Sequence, residues 1–465
     1  MKYAVVIRSP HIGGKLKSFD DLDARKINGF IGAFSIPEGV AVVANSTYNA
    51  FKCADKIKTE WIDGPIMNVG SDIISTELSS LLDEMPDLPA NTVKSFEHIY
   101  EVPLLAHATM EPMTSFANFK DGKCEIFTMT QNPQTARSAA AKALGIGEEN
   151  VKVNVLLSGG GFGRGHRNDF VAMAALISKL SGYPVKLTYS KEDDIKNDFY
   201  RPMSVHKVKT GIDKNGAVTG WIHKVASQGT VKATDPQYDL PGIKNLDVAK
   251  NYGIPTGSWR AVNNTQVYFV NESAIDELAI LANVDPFDFR LNITKDTRLR
   301  RVLETVAEKS EWTRKLPKNS GRGIASFVGY GAYSAHVVEV TLSKAGELKV
   351  DRIVAVLDCG IAINPGNIEA QFMGAAMDAL ATALKSEITV KNGRIMQSGF
   401  HDFEWLTIKE APKLEFFVIP SNESPGGIGE VGFPAVSPAL CNAIYNACGV
   451  RVRKLPIKHT SLKVL

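Results

Sequence analysis

Five glycines in seven positions, Gly159, Gly160, Gly161, Gly163 and Gly165, surround Phe162 and Arg164 near the first third of this 465-residue chain. An apolar β-type run at 151–155 precedes them and a helical apolar pattern at 168–180 follows, so they read as a strand-to-helix turn. Glycine lets backbone N–H groups approach a ligand closely, and a following helix N-terminus favours an anion. The turn lacks the Walker lysine and serine. It also lacks the G-x-G-x-x-G order with an acidic residue about twenty positions on, which argues against a nucleotide loop of either kind. The residues alone leave two readings open, a ligand-holding loop and a tight structural turn.

The rest of the chain alternates strand and helix signals around that point. Val40 to Ala44 reads as a buried strand, Ser46 starts a helical pattern through Phe51 and Ile57, and Trp61 lies on a second short strand. Prolines and a Gly64-Pro65 pair then mark 66–93 as a connecting segment. An amphipathic helix is predicted over 133–144, closed by Gly145, and strands at 125–127 and 184–189. Helices are predicted at 272–283, 298–310, 368–385 and 438–447, with strands at 335–342 and 348–357 joined by a turn at 344–347. The expected organisation is α+β (mixed α/β) in several subdomains: a small α/β unit at 1–65, the connector at 66–93, and larger units at 94–252 and 253–465.

Composition excludes more than it proposes. Charged residues make up 22% of the chain and the net charge is +3, so no basic footprint for nucleic acid stands out. No apolar run approaches the roughly 20 residues of a membrane span. Cys53, Cys124, Cys359, Cys441 and Cys448 are scattered, whereas iron–sulfur and zinc sites need clustered thiolates. No signal peptide or transmembrane segment is expected.

A second glycine-rich segment, Ser424 to Gly432, places one carboxylate, Glu430, immediately after Gly429 and before an apolar helix. A carboxylate with so little side-chain cover can face a cavity and act as a base, or it can sit in a solvated loop. Arg260, ending Gly257-Ser258-Trp259-Arg260, could grip an anion with two donors or lie at the surface. His107 and Glu111 stand at i, i+4, but there is no second histidine and Pro112 stops a helix, so no direct metal site is expected there. His166 with Arg167 and His401 with Asp402 are expected to be structural.

These segments occur with LLAHATMEPM (104–113), TQNPQTAR (130–137), PVKLTYSKEDD (184–194), GIPTGSWR (253–260), NESAIDELA (271–279), LDCGIAINP (357–365) and PGGIGEVGFPAVSPALCNAI (425–444). In that order they resemble the xanthine oxidase and aldehyde oxidase family, most closely its isoquinoline 1-oxidoreductase beta-subunit type. The resemblance implies a multi-subdomain molybdenum-cofactor-binding fold in which 1–65 is hammerhead-like. It implies a molybdopterin cofactor, in its cytosine dinucleotide form, with the metal held by the pterin dithiolene and by no side chain. Glu430 maps onto the family's general base. Gly160, Gly161, Phe162, Gly163, Arg164, Arg260 and Gly429 map onto the cofactor surroundings.

The resemblance further implies hydroxylation of an aldehyde or an N-heteroaromatic compound with water as oxygen source. The purine-oxidising members carry a glutamate where this chain has residues near His166, which argues against xanthine. Electrons are expected to leave through a 2Fe–2S cluster on a small partner subunit. The relatives are longer and carry a G-Q-G segment not found here, so a second chain supplying that N-terminal portion is expected. The compartment is cytoplasmic or, for a chain exported with a partner, periplasmic. The alternative function is a non-catalytic cofactor-binding or assembly protein that keeps the fold.

Overall fold

The computed structural model describes residues 1–463; the last two positions of the expected 253–465 unit lie outside the described residues. Its first layer grows from one strand that serves two cores. Gly39–Ala44 is buried along its whole length. Val40 and Val42 pack with Val5, Ala50 and Cys53 on the side of the helix Thr47–Ala54. Ala41 and Val43 face the other way, into a core shared with Ala140, Phe170 and Ala174 from the helices Pro133–Leu144 and Asp169–Ser181. Successive side chains of a strand point to opposite faces, so one all-apolar strand can anchor both layers.

That strand belongs to a sheet ordered Phe30–Ile36, Gly39–Ala44, Lys2–Arg8, Val185–Thr188, Thr114–Lys120, Lys123–Thr128, Val151–Val155. Lys2–Arg8 runs parallel to Val185–Thr188, with Lys2 opposite Val185. The expected units 1–65 and 94–252 therefore contribute strands to a single sheet. Two shorter sheets follow. One is ordered Ile243–Ala249, Val218–Ser227, Ser204–Ile212, Lys94–Val102, and the other Ser320–Gly329, Ala332–Leu342, Leu348–Asp358, Lys413–Val418. The mixed α/β class read from the sequence holds.

Between those two sheets lies the helix Asn264–Ala282, buried from Thr265 to Ala279. It starts eight residues earlier than its predicted bound of 272, because a helix buried all round shows no amphipathic period to mark its beginning. Its carboxylates are each matched inside the protein. Glu272 accepts from Arg290 Nη2 at 2.8 Å and from the Tyr238 hydroxyl at 2.7 Å, and Asp276 pairs with Arg451 at 2.7 Å. The helix Val436–Cys448 crosses the strand Ser320–Gly329 at backbone contact: a Cβ on Gly323 would lie 2.2 Å from the Ala443 nitrogen. One correction concerns the segment 66–93, which contains the helix Ser71–Ser80. Its serine-rich sequence has weak periodicity, and the helix is held by Ile74 and Leu78 packing in the core with Val205 and Val208.

Three histidines are fully buried. His206 Nδ1 lies 2.9 Å from His223 Nε2, and its other nitrogen 2.8 Å from Ser204 Oγ. His336 stacks on Phe372 at 5.1 Å, and neither of its ring nitrogens has a hydrogen-bond partner among the described residues. Burial holds all three neutral, pushing His223 and His336 down to about 3. Because these folded-state values lie below the unfolded value of about 6.5, the unfolded chain binds more protons as pH falls. Stability contributed by the neutral rings is therefore whole above about 6.5 and is lost on acidification toward 3. His336→Phe keeps the stacked ring and removes one such group. Its stability relative to the parent is expected to rise by about 1.4 kcal/mol per pH unit as pH is lowered from 6 to 4, seen as a growing difference in melting temperature. Parallel pH profiles for the two proteins would show that His336 does not titrate in this way.

Candidate functional site

The strand Val151–Val155 ends at the sheet edge, and the glycine turn carries the chain from there to the helix Asp169–Ser181. The turn is held from below by two side chains that the sequence did not single out for this. Gln131 Oε1 accepts from the N–H groups of both Gly163 and Gly165, each at 3.1 Å. Glu111 accepts from the Gly159 N–H at 2.6 Å. Gly163 has φ +113°, and a Cβ there would lie 1.9 Å from the Ser258 carbonyl oxygen, so no other residue fits. Among the described residues, no acceptor is paired with the N–H groups of Gly160, Gly161 or Phe162. Those donors, on a turn leading into a helix, suit an anionic group.

Beneath the turn, Arg164 is fully buried, with two nitrogens on Asp169 at 2.8 and 3.0 Å and Nε 3.2 Å from Asp198. Its guanidinium is thus engaged inside the protein, and its backbone N–H donates to the Gly161 carbonyl at 2.7 Å, so Arg164 braces the turn from within. Asp198 also meets His107 Nδ1 at 3.0 Å, while His107 Nε2 lies 2.8 Å from the Ser258 carbonyl. Burial pushes the Asp198 carboxyl up, but His107 and Arg164 outweigh it and hold the group below its ordinary value. His107 and Glu111 therefore both support the glycine turn. His166 is exposed at its end, and Asp402 caps the Ser398 and Gly399 N–H groups at 2.8 and 2.9 Å.

The second loop approaches from the other end of the chain. Gly426 N–H donates to the Cys359 carbonyl and Gly427 N–H to the Tyr330 carbonyl, each at 2.8 Å. Glu430 is half-buried, next to the Tyr330 phenol, which receives a hydrogen bond from Asn264 Nδ2 at 3.1 Å. Burial, and next the Glu430 charge, push that phenol above its ordinary value, so it stays a donor. Arg260 is buried between the loops: its guanidinium reaches the Gly429 carbonyl and lies 5.8 Å from the centre of the Phe162 ring. The structure thus brings Phe162, Arg260, Gly429 and Glu430 into one place, with Gly160, Gly161 and Gly163 on the adjoining turn. Tyr330 was not legible as a site residue. The available signal was a bulky residue between two glycines, and it takes φ +57°.

The chain is similar to known proteins along nearly its whole length. Models of the molybdopterin cofactor-binding domain match residues 88–293 and 261–412. The chain is 28% identical to isoquinoline 1-oxidoreductase subunit beta of Brevundimonas diminuta, over 98% of this chain and 64% of that protein. It is also 28% identical to a membrane-bound aldehyde dehydrogenase (pyrroloquinoline-quinone) of Gluconacetobacter polyoxogenes, over 96% of this chain and 66% of that one. The chain thus spans about two thirds of the length of these curated relatives. The fold is shared with quinoline 2-oxidoreductase from Pseudomonas putida 86, at a TM-score of 0.82 and 14% identity, over 98% of this chain and 93% of that chain. With two molybdopterin cofactor-binding domains and relatives matched along nearly its whole length, the chain belongs to the xanthine oxidase family of molybdenum-binding subunits.

Proposed function

We propose that this chain is the molybdopterin-binding catalytic subunit of a molybdenum hydroxylase that oxidises an aldehyde or an N-heteroaromatic compound with water as oxygen source. The observation that carries the reading is the meeting of the two glycine loops, which sets one half-buried carboxylate, Glu430, beside a turn whose free N–H groups suit an anionic cofactor. The residues fit a pterin phosphate: Gly160, Gly161 and Phe162 would hold it through their free N–H groups, with Gly163 letting the turn pass the Ser258 carbonyl, Arg164 buttressing the turn and Gly429 and Arg260 closing the far side. When bound, the molybdenum centre supplies an acidified water and accepts an electron pair. Glu430 takes the proton on its carboxylate and Tyr330 faces that carboxylate as a donor. The cytosine dinucleotide form is the proposed cofactor. One relative's name carries pyrroloquinoline quinone, but the domain models matched by this chain are those of the pterin.

The proposed partner is a small subunit with a 2Fe–2S cluster, which removes the electrons. Exposed apolar side chains beside the glycine turn support docking there: Leu157 is fully exposed, and Val155, Leu156 and Met110 are exposed as well. A subunit that bound the cofactor without turnover would have no use for Glu430, so Glu430→Gln separates the two readings. Glu430→Gln is expected to keep molybdenum and lose turnover by about 10²–10⁴-fold; near-normal turnover would remove Glu430 as the base. Gly163→Ala is expected to do the opposite, losing molybdenum content because the Ser258 carbonyl must give way. Metal analysis of the chain purified from its native host should find molybdenum near one per chain, with iron in a co-purifying protein. Absence of both would leave the fold without the chemistry.

A further inference from the structure

Arg260 is 6% exposed, and its donors have protein acceptors. Nε and Nη2 both donate to the Gly429 carbonyl, at 2.9 and 2.7 Å. Nη2 also donates to the Gln371 carbonyl at 3.0 Å, with Gln371 Oε1 at 3.4 Å, and Nη1 donates to Asp378 Oδ2 at 2.7 Å. Asp378 and Gln371 belong to the helix Pro365–Leu384. Two donors converging on one carbonyl fix the orientation of the Gly429–Glu430 peptide, and with it the direction in which Glu430 leaves the backbone. The Glu430 carbonyl on the other side of that residue accepts from the Phe433 N–H at 3.1 Å, and a Cβ placed on Gly429 would meet open space. The adjacent Trp259 is anchored by its Nε1 donating to the Ala106 carbonyl at 3.1 Å and by its edge contact with Phe433 at 5.2 Å. The arginine is therefore delivered from a rigid base.

We propose that Arg260 is a positioning residue, a clamp that ties the Gly429–Glu430 peptide to the helix Pro365–Leu384 and to the Phe162 ring, so that the carboxylate is presented to the reacting centre. This rests on the reading of Glu430 as the base. A lysine would keep the charge opposite Asp378 but could not place two coplanar donors on one carbonyl while also reaching the helix. Asp378→Asn is the gentler companion, because it retains a hydrogen-bond acceptor for Nη1 and is not expected to unfold the chain.

The test uses the full chain with its native partners and three readouts: hydrogen–deuterium exchange of the 424–433 segment, molybdenum content, and kcat and KM per molybdenum. Arg260→Lys is expected to speed exchange in that segment about tenfold, leave molybdenum content unchanged, and lower kcat about 10²-fold with little change in KM. Asp378→Asn is expected to shift exchange and kcat in the same direction by less. Unchanged exchange in both variants, or kcat per molybdenum within about threefold of the parent, would overturn the clamp. Loss of molybdenum with unchanged exchange would also overturn it, by making Arg260 a cofactor ligand. Glu430→Gln measured alongside keeps the two ideas separate: if it turns over normally the base assignment fails, while the exchange data still judge the clamp.

Discussion

A carboxylate taken out of water has to be matched by donors, and Asp198 is matched from several directions. His107 supplies its backbone N–H at 2.5 Å and its ring at 3.0 Å, Phe199 its N–H at 2.7 Å, and Arg164 its Nε at 3.2 Å. Two of these donor residues are tied to something else: Arg164 to the helix that follows the glycine turn, and His107 to the Ser258 carbonyl that packs against Gly163. Removing the carboxylate would leave a buried guanidinium and imidazole short of acceptors, a situation that costs several kcal/mol in a low-dielectric interior. The turn can therefore expose its backbone donors because its underside is closed by charge.

The same logic recurs at the second loop with the signs exchanged. There a buried cation, Arg260, collects a carboxylate and two carbonyl oxygens, and the glycine-rich backbone it holds carries the half-buried Glu430. A flexible loop gains a defined shape from one side chain, while the flanking glycines keep other side chains from filling the site. The first loop depends on Asp198 and the second on Arg260. Phe162 is the contact through which the two arrangements meet.

Much of the local structure was legible because local chemistry decides it. The helix Pro133–Leu144 matched its predicted bounds, with Asn132 capping Thr135 N–H at 3.2 Å, Pro133 in the first turn and Gly145 past the end. The hairpin around 344–347 closes with Ser343 N–H donating to the Glu347 carbonyl at 2.9 Å. The helix Ser71–Ser80 escaped notice because only two of its residues, Ile74 and Leu78, are buried and their partners lie on strands more than a hundred residues away. The glycine turn, Glu430 and Arg260 were legible as residue types in unusual settings. Gln131, Asp198, Tyr330 and Asp378 were not, since a glutamine, two aspartates and a tyrosine look the same in sequence wherever they lie.

By itself the sequence determined which segments can be strands or helices, where the backbone must be glycine, and which family's motifs run along the chain in order. Those are consequences of hydrogen-bonding periodicity and steric limits acting over a few residues. Only the tertiary structure decided that the first strand pairs with one at 185–188, that residues 162, 260 and 430 share one site, and which buried charges face one another. Long-range pairing is set by burial and charge matching summed over the whole fold, and no short stretch of residues carries that sum.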